Sequence, residues 1–119
     1  RNPDLIIFDE PTVGQDAYHK GRLLSIIQQL QTNGHTCIII THDIDFISQI
    51  ATRLFILKKG EVYTEGIPER LLNQRDLLDV CSLHEPFFTS LYRPLSTTYP
   101  ALPPHIITIH QLEKVLKTW

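Results

Sequence analysis

The stretch of sequence that decides the fold is LIIFDEPT, residues 5–12. Four apolar residues that favour β structure, Leu5 to Phe8, are followed directly by the carboxylates of Asp9 and Glu10. A short continuous apolar run that ends in a turn is typical of a strand buried on both faces of a parallel sheet. The two carboxylates would then lie at the C-terminal tip of this strand, which is where open α/β sheets bind their ligands.

A helix and a second strand are predicted after this stretch. Asp16 is a good N-cap, and apolar residues at helical spacing predict a helix over residues 17–32 that ends before Gly34. A second apolar run, residues 36–40, leads into Thr41, His42 and Asp43. The predicted order is therefore β-α-β. We expect a three-layer α/β fold whose parallel strands are joined by a right-handed crossover helix, with both strand tips at one edge.

The remainder of the chain predicts a hairpin, short helices and an extension. Residues 53–58 and 61–65 read as an antiparallel pair around Lys59-Gly60, and short helices are expected after Asp43, at Pro68 and from Asp76 to Val80. Five of the eight prolines fall between positions 86 and 104, so residues 82–104 are expected to be a linker or an irregular packed segment. Capping-box spacing then predicts a terminal amphipathic helix. Its apolar stripe consists of Ile109, Leu112, Leu116 and Trp119.

Composition and charge exclude several classes of protein. The chain has 119 residues, a net charge of −2 and 42% hydrophobic residues, which indicates a globular protein rather than a disordered one. No basic run is longer than Lys58-Lys59, so a nucleic-acid partner is not expected. Cys37 and Cys81 are expected to be packed thiols in a reducing compartment. The absence of Met and the opening at Arg1 favour a piece of a longer protein or a processed form.

The polar residues after the two strands favour phosphoryl-transfer chemistry. Adjacent carboxylates at a strand tip suit a metal-dependent reaction, in which one anion helps to hold a hydrated magnesium ion and its neighbour polarises the attacking water. Taken alone, Asp-Glu-Pro after a strand is usually a solvated turn, and a histidine such as His42 is usually structural. The coincidence of three polar clusters in one β-α-β unit favours the functional interpretation.

These motifs resemble those of ABC-type ATPases. Residues 5–12 resemble the Walker B segment, residues 13–16 (VGQD) lie where that family has its D-loop, and residues 40–43 (ITHD) lie where it has its switch histidine. The likeness extends from about residue 4 to residue 66. It implies part of a P-loop NTPase core, with parallel strands, crossover helices and a closing hairpin, followed by a C-terminal extension.

The resemblance also implies the roles of four residues and the cofactors ATP and magnesium. Asp9 would orient the magnesium ion from its second shell, and Glu10 would be the general base. His42 would contact the γ-phosphate, and Asp16 would act across a dimer interface.

Several ABC ATPase elements are absent from the sequence. It contains no Gly-x-x-x-x-Gly-Lys-Ser/Thr phosphate loop, no Q-loop and no Leu-Ser-Gly-Gly-Gln signature. We therefore expect the C-terminal part of a nucleotide-binding subunit, inactive alone and marginally stable because apolar strand edges lack partners. In this interpretation residues 1–80 belong to the nucleotide-binding domain. Residues 81–119 form the Pro-rich extension with its terminal helix.

The D-loop and the extension are similar to those of ATPase subunits in energy-coupling factor importers. This likeness implies an enzyme that powers import through membrane subunits, together with a second ATPase domain or subunit, at the cytoplasmic face of the cell membrane. One alternative is an ABC-type ATPase of DNA repair or translation, although such proteins usually carry coiled-coil insertions or basic tails. The other is a non-catalytic interaction fragment. The transported substrate is not encoded here, because membrane subunits recognise it in such importers.

Overall fold

A computed structural model describes residues 4–118, which divide into two compact units between Phe46 and Ile47. Trp119, the last member of the predicted apolar stripe, lies outside the described residues. The predicted boundary between residues 80 and 81 remains a prediction, since residues on both sides of it belong to the second unit.

The first unit is the predicted β-α-β unit. Strand β1 (Leu5–Asp9), helix α1 (Ala17–Thr32) and strand β2 (Thr36–Ile40) follow one another, and the two strands pair in parallel with Asp9 opposite Ile40. Helix α1 has the predicted bounds because its two ends are encoded locally. Asp16 accepts a hydrogen bond from the His19 backbone N–H at 2.9 Å, and Gly34, just beyond the helix, adopts a φ of 90°.

The prediction that both strands are buried on both faces is wrong for the described residues. Alternate residues of β1 and β2 are half-buried, whereas those between them are exposed, as at Ile7 (60%) and Ile38 (46%). The reason is that this sheet has two strands and that the unit's one long helix, α1, packs against β2. The unit thus exposes an apolar sheet face. That the isolated chain is marginally stable remains a prediction.

The second unit begins within helix α2 (Ile44–Ile50) and contains the predicted hairpin. Strands β3 (Leu54–Lys58) and β4 (Glu61–Gly66) pair antiparallel across Lys59 and Gly60, whose φ angles are 51° and 77°. Two positive φ angles in a two-residue loop match the twist of the flanking strands. Two short helices follow, α3 (Pro68–Leu71) and α4 (Arg75–Val80). The second starts one residue before the predicted Asp76, with Gln74 at its N-cap.

The predicted linker contains a helix, which corrects the interpretation of residues 82–104. Helix α5 spans Phe87–Thr98, with Pro86 at its N-cap, where a missing N–H is tolerated, and Pro94 inside it. The segment packs closely, because Tyr92 is buried and its hydroxyl donates to the Pro103 carbonyl at 2.7 Å. Burial raises the pKa of Tyr92. Proline density was misleading because only one of the five prolines lies within the helix.

The predicted terminal helix is present as α6 (Ile109–Leu116). Its capping box is complete, since the Thr108 side chain accepts from the Gln111 N–H at 3.2 Å and the Gln111 side chain accepts from the Thr108 N–H at 3.3 Å. Its apolar stripe is exposed at Ile109 and Leu116. Within residues 4–118, none of the helices combines the length and hydropathy needed to cross a bilayer.

Asp43 connects α1 to the start of α2. Its carboxylate accepts the Phe46 backbone N–H at 3.0 Å and the Lys20 Nζ at 2.9 Å. Burial raises the pKa of Asp43, but the hydrogen bonds from Lys20 and the Phe46 N–H, together with the Thr12 side chain, outweigh it, so the pKa lies below its ordinary value. Asp43 therefore stabilises the fold in its ionised form.

Replacing Asp43 tests this account. Asp43→Ala removes the helix cap and the ion pair, so urea unfolding should show a loss of about 1–2 kcal/mol. Asp43→Asn keeps a capping oxygen and should lose less than about 1 kcal/mol. Because the folded-state pKa is lowered, the contribution of the charge is complete above the ordinary aspartate pKa. It should disappear as the pH falls below about 4, where the Asn variant and the wild type converge. If the Ala and Asn variants lost equal free energy of unfolding at neutral pH, the proposed capping role of Asp43 would be wrong.

Candidate functional site

The two strand tips meet at one edge of the sheet, as the sequence predicts. Asp9 ends β1 opposite Ile40, which ends β2, and the Glu10 N–H donates to the Ile40 carbonyl at 2.7 Å. Parallel pairing thus continues for one residue beyond β1. The segments that carry Glu10 and His42 leave the sheet side by side.

Glu10 has an uncommon backbone conformation. Its φ is 47°, in the left-handed region, and residues other than glycine rarely adopt it. Two hydrogen bonds turn the following segment, from the Val13 N–H to the Glu10 carbonyl at 3.4 Å and from the Gln15 N–H to the Thr12 carbonyl at 3.1 Å. Such conformations persist only where the surroundings impose them, and they cluster at functional sites. The chain therefore turns sharply at Glu10, directly after the strand.

Glu10 and His42 are in direct contact. His42 Nδ1 lies 2.7 Å from Glu10 Oε1, and because an ionised carboxylate only accepts, Nδ1 is the donor. The His42 side chain is 91% exposed and that of Glu10 is 31% exposed, so the pair contributes little to stability. Within residues 4–118, this contact uses neither His42 Nε2 nor the second Glu10 side-chain oxygen, so both atoms are open to a ligand there.

The other two predicted site residues are placed differently. Asp9 is exposed at the end of β1. Asp16 is the N-cap of α1, and its Oδ1 accepts from the His19 backbone N–H at 2.9 Å and lies 2.7 Å from the His19 Nδ1. Two hydrogen bonds hold the pKa of Asp16 below its ordinary value. The larger effect comes from the His19 backbone N–H and the smaller from the His19 ring. The structure thus brings Glu10 and His42 together, whereas Asp16 is hydrogen-bonded to His19.

A second polar cluster beside this pair was not predicted from the sequence. Lys20 Nζ donates to the Asp43 carboxylate at 2.9 Å, and Thr12, which is 4% exposed, lowers the pKa of the same carboxyl. From the sequence, Asp43 belongs to the polar residues that follow the second strand and to the predicted start of a short helix, whereas Lys20 has no predicted role. The available signal was that Asp43 directly follows His42, whereas nothing local indicates a contact between residues 23 positions apart.

The described residues fit magnesium only as an ion shared with a ligand. Between residues 4 and 118 there is no group of three or more His, Cys, Asp or Glu side chains that could hold a metal ion. Magnesium usually keeps several waters and is bound by one or two carboxylates together with substrate phosphates. The exposed Asp9 carboxylate beside Glu10 suits that mode.

Comparison with known proteins identifies similar sequences, although no protein-family model matches the chain. A protein of Staphylococcus aureus strain N315, named as an ABC transporter ATP-binding protein, is 40% identical over 91 residues, which are 76% of this chain. The chain spans only 15% of that relative's length. The sequence similarity therefore concerns a segment of a much longer protein.

Solved structures show the same fold. The ADP conformation of MJ1267, an ATP-binding cassette of an ABC transporter, matches 66% of this chain and 33% of its own with a TM-score of 0.60 and 23% identity. The cbiO1 protein of Clostridium perfringens, part of the ABC transporter complex cbiONQ, matches 76% of this chain and 37% of its own with a TM-score of 0.57 and 29% identity. The chain is thus a homologue of a segment of the ABC transporter ATP-binding proteins, folded like part of an ABC ATPase domain.

Proposed function

We propose that the whole protein binds and hydrolyses ATP to power import through a membrane partner, and that this chain supplies Glu10 and His42 to the reaction. The observation that supports this most is the 2.7 Å contact between these side chains at two joined strand tips. Homology to ABC transporter ATP-binding proteins supports the nucleotide and the link to transport.

Glu10 is proposed to polarise the attacking water. Phosphoryl transfer depends mainly on positioning and electrostatic stabilisation, so a fixed carboxylate near the nucleophile would orient the attacking water. The turn at Glu10 and the hydrogen bond from His42 fix that carboxylate, and its second oxygen remains an acceptor for a water proton.

His42 is proposed to contact the γ-phosphate through Nε2. Because Nδ1 donates to Glu10, Nε2 is the ring nitrogen left for the nucleotide, and a ring protonated on both nitrogens can donate to a carboxylate and a phosphate together. The exposure of His42 leaves room for a ligand. In this assignment the histidine couples the phosphate to the residue that activates water.

Asp9 is proposed to hold the water shell of a magnesium ion, and Asp16 to act across an interface with a second ATPase domain or subunit. Magnesium bound with the phosphates would neutralise charge that develops in the reaction. Asp16 suits an interface because His19 fixes its carboxylate at the exposed start of α1. Both roles follow the family resemblance, which residues 5–12 and 13–16 carry.

Membrane subunits are the proposed partners, at the cytoplasmic face of the membrane. The similarity to cbiO1, which is part of a transporter complex, supports a transport role over that of an ATPase that moves nothing. The energy-coupling factor importer type is proposed on the similarity to cbiO1. The resemblance of the D-loop and of the C-terminal extension to those of such importers supports the same proposal. The balanced charge of the chain supports the absence of a nucleic-acid partner.

Glu10→Gln in the whole protein tests the catalytic assignment. The amide keeps the shape of the side chain but is a much weaker base, so turnover should fall by at least about 100-fold while ATP binding persists. Steady-state hydrolysis and nucleotide binding are measured in parallel, with Glu113→Gln, exposed on α6, as the matched control. Unchanged turnover would remove Glu10 from the mechanism.

His42→Ala tests the phosphate contact. Loss of one donor to the transferring phosphoryl group should lower turnover by about 100-fold. The control is His110→Ala, which removes an exposed histidine on α6. If the His42 and His110 variants hydrolyse ATP equally fast, His42 has no such role.

The 119-residue chain alone should bind nucleotide weakly and hydrolyse none. Backbone amides and a lysine of a phosphate loop supply most phosphate binding in such sites, and the sequence contains no such loop. Asp9, Glu10 and Asp16 place negative charge near a polyanion. Calorimetric titration with Mg-ATP should show a dissociation constant weaker than about 1 μM, and tighter binding would contradict this proposal.

A further inference from the structure

Three residues from separate segments form one polar cluster, here called the Asp43 clamp: Thr12, Lys20 and Asp43. Lys20 Nζ donates to Asp43 Oδ2 at 2.9 Å, and the buried Thr12 side chain lowers the pKa of the same carboxyl. Thr12 lies in the segment after β1, Lys20 in α1 and Asp43 in the segment after β2. The Lys20–Asp43 contact therefore joins α1 to the segment that leaves the tip of β2.

The Asp43 clamp lies directly beside the proposed catalytic pair in the chain. Thr12 is two residues after Glu10, and Asp43 is the residue after His42. The Asp43 N–H also donates to Thr41 Oγ1 at 3.0 Å, so residues on both sides of His42 are held by hydrogen bonds. The imidazole itself is 91% exposed, so packing does not fix it. Its position depends on its backbone and on its bond to Glu10.

Folding stability alone does not require Lys20 in this cluster. Asp43 caps α2 without it, through the Phe46 N–H, and the Lys20 side chain is 38% exposed. Ion pairs between partly exposed side chains contribute little to folding. Lys20 adds a direct contact between α1 and Asp43, the residue that follows His42.

We propose that Lys20 is a positioning residue, which acts through the Asp43 clamp to hold His42 against Glu10. The proposal rests on the proposed function, because ATP hydrolysis is the reaction that this alignment serves. A misplacement of about 1 Å, even one caused by a substitution away from the reacting atoms, is enough to slow a reaction that depends on positioning.

The test compares Lys20→Met with Lys20→Arg in the whole protein. Met removes the charge and should lower kcat by about tenfold, with KM for Mg-ATP changed by less than about twofold. Arg restores an ion pair with Asp43 and should recover kcat to within about twofold. Arg22→Met removes a charge from an exposed position of the same helix, and it should leave kcat unchanged.

A second arm repeats Lys20→Met in the His42→Ala background. Because Lys20 is proposed to act through His42, it should have no further effect once His42 is absent. A further tenfold loss in that background, failure of Arg to restore kcat, or an equal loss in Arg22→Met would each overturn the proposal. Asp43→Asn, which keeps a capping oxygen, serves as a second variant if Lys20→Met does not fold, and it should give the same loss of kcat.

A readout without activity separates this inference from the proposed function. Histidine-selective ¹⁵N NMR of the whole protein reports whether His42 Nδ1 donates a hydrogen bond. The signal of a hydrogen-bonded His42 Nδ1 should be lost in Lys20→Met and retained in Lys20→Arg. An unchanged signature in Lys20→Met would overturn the inference even in an active enzyme. If the wild type hydrolyses no ATP, the proposed function fails, and this spectrum alone decides the role of Lys20.

Discussion

The parallel pairing of β1 with β2 is the constraint on which the candidate site depends. Its register places Asp9 opposite Ile40, and the Glu10 N–H extends the ladder by one more bond. A shift of one residue would reverse the direction in which the side chains of one strand point. It would also move Glu10 away from His42, since these residues, 32 positions apart, meet only because both strands end at the same level.

Fixed backbone and exposed side chains are combined at this edge. Glu10 adopts a left-handed backbone conformation, and Lys20 Nζ and the Phe46 N–H both donate to the Asp43 carboxylate. The His42 ring, in contrast, is open to solvent. The arrangement suits a site in which the protein positions the reacting groups while a ligand fills the space around them. The apolar sheet face that carries Ile7 and Ile38 is likewise open to solvent among the described residues.

Local signals made much of the fold predictable. The bounds of α1 follow from Asp16 and Gly34, and the capping box of α6 follows from Thr108 and Gln111. Helix α5 was missed because proline counts carry no information on whether each ring lies at a cap, inside a helix or beyond it. The predicted burial of β1 and β2 was wrong because an apolar run shows only that a strand can be covered on both faces. It does not show whether other elements of the chain cover those faces.

The site was predictable only in part. The meeting of Glu10 with His42 follows from β-α-β topology, whereas the contact of Lys20 with Asp43 depends on how α1 packs. The assigned roles of Asp9, Glu10, Asp16 and His42 remain predictions, because a contact between side chains shows proximity and not chemistry.

The central claim is that Glu10 and His42 act as one unit in ATP hydrolysis. Single-turnover hydrolysis by the whole protein, measured for Glu10→Gln, His42→Ala and the double variant, tests it most directly. If the residues act together, the double variant loses about as much rate as the more damaging single variant, as members of a shared catalytic unit do. Losses that multiply in the double variant would show that the two residues act independently, and the account would be wrong.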